Sequence, residues 1–294
     1  MRHAYINLDW TKTSLQIGQT WYPTFVPECF PGVADFSTGI PINPFGWATQ
    51  IRLNQKLSDH LKASLIAYKE REFTLTSTGT QNNEISIQSA MPTLHGQLQF
   101  KNDKFLIGAG AEYKSVKPRL ISNNLKSDET VNSFTFFGYG KLTTKPITAK
   151  VYYISGENMT QHVMLGGYLE YPETGQPNTY QATKTSAYWI DIASNNAKVA
   201  PGLFFGYTKQ DGADAGAINA FGRGLSSALN GRMVKDVMKI SGRVDFKSGK
   251  LRISPEVEYS AANYGTSDSS ANVVSGTENY YQNWRVLASV VYSF

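Results

Sequence analysis

Apolar and polar residues alternate with period two through most of the chain, and the alternating segments are joined by connectors that are short and long in turn. Ala4, Ile6, Leu8 and Trp10 alternate with His3, Tyr5, Asn7 and Asp9, and a brief Thr11-Lys12 turn leads to Leu15 and Ile17. A long Pro- and Gly-containing stretch from about Tyr22 to Phe45 follows, then Ile51 and Leu53 set against Gln50, Arg52 and Asn54. The scheme repeats. Short turns are expected at Leu57-Ser58-Asp59, Asn102-Asp103, Thr144-Lys145, Asn195-Asn196 and Ser248-Gly249. Long links are expected near Glu72 to Ser89, Ser115 to Thr130, Gly156 to Lys184, Lys209 to Lys235 and Ala261 to Thr277, with a helical stretch around Ala217 to Leu229. The last segment runs from Trp284 to a terminal aromatic, Phe294.

This rhythm predicts an all-β fold: a transmembrane antiparallel up-and-down β-barrel, one domain over residues 1–294, with short turns at one rim and long loops at the other. A soluble β-sandwich or propeller also alternates, but its loop lengths have no reason to sort so regularly. About thirteen strands are read from the pattern. Single-chain bacterial barrels have even numbers, and the short first connector makes the first segment a descending one. A complete barrel of about 14–16 strands is therefore expected, with an N-terminal part before Met1. Closure is dictated by the solvent, because an unpaired strand edge in lipid leaves N–H and C=O groups without partners.

Composition agrees. With 17 Tyr, 15 Phe and 5 Trp the chain is rich in aromatics, yet its mean hydropathy is only −0.33. No run of about 20 apolar residues exists to span a bilayer as a helix. A barrel needs none, since one residue in two meets lipid. The net charge of +5 is scattered without a Lys/Arg cluster, which argues against a nucleic-acid partner and for a mildly positive interior; a solvated surface is the plainer alternative. Cys29 is the single cysteine, so neither a disulfide nor a thiolate metal site can be built within the chain, and no metal or other cofactor is called for.

The apolar face meets lipid or a neighbouring subunit, with Trp10, Trp284, Tyr292 and Phe294 placed for interfacial girdles. By parity Arg52, Lys62, Lys114, Lys141, Lys150, Lys239, Arg243, Arg252 and Arg285 then point inward, with Glu112, Asp191, Asp245, Glu256 and Glu258 as acidic counterparts. Lys239, Arg243, Arg252 and Arg285 fall on the last three strands and are expected to form a basic ladder, which Arg52 joins on closure; such a ladder favours anions. Neutralisation of the ladder by Asp245, Glu256 and Glu258 is the alternative.

Residues 22–45 form a candidate constriction loop. Pro23, Pro27, Pro31, Pro41 and Pro44 restrict the backbone, and Phe25, Phe30, Phe36 and Ile40 suit a loop folded into the barrel better than one in water. Glu28 and Asp35 would then face the basic wall across the pore. A subunit-contact loop or an outer lid is the alternative.

Arg2-His3-Ala4-Tyr5 paired with Gly18-Gln19-Thr20-Trp21 one hairpin later resembles the DcaP-like trimeric porins of Gram-negative outer membranes. The resemblance covers these two motifs and the loop after them; beyond the loop, only the barrel pattern and Phe294 agree. It implies a homotrimer of sixteen-stranded barrels passing small hydrophilic, often anionic, solutes, and members in which a periplasmic coiled coil and further strands precede the first motif.

The expectation is an outer-membrane porin of a Gram-negative bacterium that lets small polar or anionic solutes diffuse through a hydrated channel, with weak anion preference and no covalent chemistry. An adhesin or binding barrel is the main alternative. An outer-membrane hydrolase would need an acid and a nucleophile beside one of His3, His60, His95 or His162, and the sequence shows no such arrangement. A gated transporter would need a plug that this length does not provide.

Overall fold

The computed structural model describes residues 2–35, 37–70, 84–226 and 231–293. In chain order its strands are β1 (Ala4–Asp9), β2 (Thr13–Trp21), β3 (Trp47–Lys56), β4 (Leu61–Lys69), β5 (Thr93–Lys101), β6 (Phe105–Val116), β7 (Ile121–Ser122), β8 (Leu125–Lys126) and β9 (Val131–Thr143). They continue with β10 (Ile147–Glu157), β11 (Gly166–Tyr171), β12 (Thr179–Ala182), β13 (Lys184–Ser194), β14 (Val199–Gly212), β15 (Asn219–Arg223), β16 (Arg232–Ser248), β17 (Leu251–Thr266) and β18 (Asn279–Tyr292). A one-turn helix, α1, covers Glu84–Ile87, and a 3-10 turn covers Met159–His162.

Thirteen strands form a single antiparallel sheet in the order β1-β2-β3-β4-β5-β6-β9-β10-β13-β14-β16-β17-β18. Every wall strand pairs with the next wall strand in the chain, so the topology is up-and-down, and the thirteen expected segments are the thirteen found. Among the described residues the edge strands β1 and β18 do not pair with each other. The long links carry the remaining strands: β7 with β8, and a three-stranded β12-β11-β15 sheet at the long-loop rim. The helix expected around Ala217 to Leu229 is not there. Asn219–Arg223 pairs with Gly166–Glu170 as β15, since β11 offers a ladder that an isolated short helix could not match; residues 227–230 lie outside the described set.

Alternation sorts the two faces as the pattern predicts. Ile51, Leu65, Ile107, Phe134, Leu203 and Val257 are exposed on one face, while Gln50, Ser64, Tyr139, Asp191 and Glu256 are buried on the other. Trp10 and Tyr292 are exposed at the short-turn end and Tyr280 and Tyr281 at the long-loop end. Phe294 and Phe36 lie outside the described residues.

One contact shows that the sheet is curled. β2 ends at Trp21, and three residues later the Thr24 carbonyl accepts a 2.6 Å hydrogen bond from Tyr152 Oη on β10. Six strand spacings separate β2 from β10 in the sheet order. On a flat sheet that is about 29 Å, whereas three residues reach about 11 Å. Only a wall that bends back on itself brings the two together.

Candidate functional site

The candidate site is the inner face of this wall and the loop that lies on it. The loop begins in an aromatic cluster: Trp21 packs on Phe25 (4.7 Å between centroids), Phe45 (5.5 Å) and Trp47 (6.0 Å). Its neck is closed by the Tyr22 N–H, which donates to the Gly46 carbonyl at 3.0 Å. Gly46 has φ +139, and a Cβ there would run into the Tyr22 ring, so the closure requires glycine. The paired motifs at the start of the chain brace this neck. Ala4 and Tyr5 lie opposite Gln19 and Gly18, Arg2 sits over the Trp47 ring at 5.5 Å, and His3 meets the edge of Trp21 at 4.9 Å.

From the neck the chain runs along the inner wall. Val26, Cys29 and Ile42 join a core with Phe137, Tyr139, Tyr152, Ile154, Trp189 and Phe204. The rings of Phe137, Tyr139, Tyr152 and Trp189 stack in one row, with Tyr152 and Trp189 5.8 Å apart and nearly parallel. This row is what the parity reading missed. It assigned the apolar alternates to lipid and polar ones to the lumen, yet on β9, β10, β13 and β14 some inward positions, Phe137, Tyr139, Tyr152, Trp189 and Phe204, are aromatic and form the floor of the loop. Trp189 Nε1 donates to Asn43 Oδ1 at 2.9 Å, Lys150 Nζ to the Phe30 carbonyl at 2.9 Å, and the Ala34 N–H to Glu256 Oε2 at 2.7 Å. Of the apolar residues expected to be buried, Phe25 is, while Phe30 stays exposed beneath Lys150.

A second link enters the same space. The turn Met159–His162 is buried throughout, and the His162 carbonyl accepts from the Phe45 N–H at 2.9 Å. Glu112 on β6 receives both His162 Nε2 (3.1 Å) and His95 Nδ1 (3.3 Å), and His162 Nδ1 lies 3.2 Å from Thr24 Oγ1. Lys114 Nζ donates to the Asn158 carbonyl and to Gln161 Oε1. Thr24, His162 and Glu112 therefore stand in hydroxyl–imidazole–carboxylate order, which the sequence spacing did not reveal. Thr24 and His162 have no exposed surface, so no substrate reaches the hydroxyl and the cluster acts as a clamp between two loops and the wall.

The predicted charged residues divide into two groups. Arg243 forms a buried two-pronged pair with Asp191 (2.8 and 3.3 Å), and Lys150 lies 4.0 Å from the same carboxylate. Lys239 is 3.2 Å from Glu258 and 3.8 Å from Asp35, and Arg285 bonds both of these acids. The expected ladder is thus interleaved with acids, because the register sets Arg243 opposite Glu256 and Glu258 opposite Arg285. Arg252 does not join it; it is exposed beside the short turn, opposite Lys247. Arg52 is different. Its guanidinium bonds Gln50 Oε1 (3.0 and 3.1 Å), and neither it, Lys62 nor Lys141 has a carboxylate within 4.0 Å among the described residues.

Glu28 pairs with Lys101 and accepts from Gln99 at 3.0 Å. Burial opposes its ionisation, but the hydrogen bond and charge of Lys101, with help from Gln99 and Lys62, outweigh it and hold its pKa below the usual carboxylate value. Cys29, the single cysteine, is enclosed within the loop, and burial pushes its thiol up to about 11.

Solved structures share this architecture. The chain is similar to the outer membrane protein OmpT of Vibrio cholerae in its trimer form, at 12% identity and a TM-score of 0.53, covering 99% of this chain and 80% of that one. The fold is that of a porin barrel. The anion-selective porin from Comamonas acidovorans is similar at 9% identity and a TM-score of 0.51, covering 97% of this chain and 77% of that one. OmpF of Salmonella typhi, solved in complex with daunomycin, gives 12% identity and a TM-score of 0.50, covering 98% and 78%. No family model and no curated protein matches the sequence.

Proposed function

We propose that this chain is the wall and constriction loop of an outer-membrane porin in a Gram-negative bacterium, and that it lets small hydrophilic solutes diffuse passively with a weak preference for anions. The observation that carries the reading is the curled, two-faced sheet with residues 22–35 and 37–45 laid along its inner side, apolar outside and carrying charged and aromatic residues inside. The likeness to porin folds supports it. Closure of the β1 and β18 edges by further pairing belongs to the proposal, since an open seam in hydrocarbon leaves backbone groups unpaired. So does a homotrimer of DcaP-like type, which the motif pair at residues 2–5 and 18–21 suggests.

Glu28 and Asp35 are the loop's acids in this scheme, each held against wall cations. Net preference then comes from the cations with no carboxylate within 4.0 Å among the described residues, Arg52, Lys62 and Lys141, more than from Lys239, Arg243 and Arg285. The test is conductance in a planar bilayer. Large steps with a reversal potential on the anion side are expected, and deletion of residues 30–40 enlarges the step. An adhesin of narrow bore gives no such current, and an unchanged step after the deletion places the loop outside the conducting path.

A further inference from the structure

Where the loop meets β17, Asp35, Glu256 and Glu258 bring three carboxylates together, one oxygen of each lying within 4.8 Å of the others. Lys239 and Arg285 answer Asp35 and Glu258. Glu256 is left over. It is 2% exposed, its Oε2 accepts from the Ala34 N–H, and its Oε1 is buried without a hydrogen-bond partner among the described residues. Arg243, its cross-strand neighbour, turns both terminal nitrogens to Asp191. Lys239 and Arg285 thus answer two of the three acids directly, while Glu256 has only the nearby charge of Arg243 and keeps a buried oxygen with nothing to bond among the described residues, which is a costly arrangement.

The spacing is at most twice the calcium–oxygen distance of about 2.4 Å, and hard carboxylate oxygens are what Ca²⁺ takes. Mg²⁺ demands near-octahedral geometry at about 2.0–2.1 Å and gives up its waters reluctantly, so a cage of protein carboxylates suits it less well. We propose that Asp35, Glu256 and Glu258 form a calcium site that fastens the loop to β17. An ion bound there competes with Lys239 and Arg285 for Asp35 and Glu258 and frees positive charge toward the lumen. The binding stands on the cluster alone; its effect on selectivity rests on the porin reading.

Calorimetric titration of the purified chain in detergent with CaCl₂ and, separately, MgCl₂ tests the site in wild type, Glu256→Gln and Asp35→Asn, with the β signal of each variant checked by circular dichroism. Saturable calcium binding is expected, weakened at least about tenfold in both variants and stronger than magnesium binding. No saturable calcium heat, equal binding by wild type and Glu256→Gln, or magnesium binding as tight as calcium would overturn it. In bilayers at constant ionic strength, calcium should move the reversal potential further to the anion side in wild type and leave Glu256→Gln unmoved. If calcium binds as described but no current flows, the site stands and the porin reading falls.

Discussion

The inner wall presents two stretches of the same residue types with opposite electrical outcomes. On β16–β18, Lys239, Arg243 and Arg285 are tied to Asp35, Asp191 and Glu258, some of them buried. On β3, β4 and β9, Arg52, Lys62 and Lys141 occupy inward positions of the same parity, yet no described carboxylate pairs with them. Position on a strand decides that a cation faces inward; a partner from another segment decides whether its charge is free. Lys239 and Arg285 in the paired stretch hold Asp35 of the loop, and the unpaired stretch leaves its cations without a described carboxylate.

The largest expected difference is in stability. Arg243→Ala leaves Asp191, which is 1% exposed, with only Lys150 at 4.0 Å, and breaking a buried pair from one side costs up to about 3–5 kcal/mol. Arg52→Ala strands no carboxylate and should cost about 1 kcal/mol, the scale of its hydrogen bonds to Gln50. Urea unfolding of the two variants in detergent compares them directly; equal losses would abolish the distinction.

Selectivity comes next. Replacing Arg52, Lys62 and Lys141 together by Gln should move the reversal potential toward cations with the step size nearly kept. Replacing Lys239 and Arg285 by Gln removes two anchors of Asp35 and should change the step size and its noise first. The same response from both sets would mean that pairing does not matter.

Thiol chemistry reports the loop itself. With its pKa raised from 9.0 to about 11, Cys29 holds about a hundredfold less thiolate at neutral pH, and it is enclosed besides. Maleimide labelling should be slow in the folded protein, fast in urea, and faster in the Lys239→Gln, Arg285→Gln variant than in wild type. Rapid labelling of folded wild type would show that the loop leaves the wall.

The smallest effect is expected at Glu28. Its pKa is lowered, so the pair with Lys101 contributes stability above the ordinary value of 4.5 and loses it as pH falls through the lowered one. The pair is half-exposed and screened by water and salt, so wild type and Glu28→Gln should differ by under about 1 kcal/mol at pH 7 and converge at pH values well below 4.5. A gap that persists in acid would assign the effect to something other than this charge.

Alternation sufficed for the thirteen wall strands, their order and their two faces, though not for the strands within the long links. Period-two alternation is local, and the solvent on each side of a wall acts on every residue in the same way, so Ile51 or Leu203 and Gln50 or Asp191 sort without knowledge of any partner. The motif pair around Tyr5 and Gly18 was legible for a similar reason, since the two segments are neighbours through one short turn. Tertiary structure alone decided what happens inside. That Tyr152 and Trp189 form a floor for the loop, that His162 reaches Glu112 and Thr24, and that Arg243 is spent on Asp191 while Arg52 is not, all depend on segments 50 to 146 residues apart meeting in a curled wall. Alternation carries no record of those distances, because a side chain's face is set by its own backbone and its partner by the closing of the sheet.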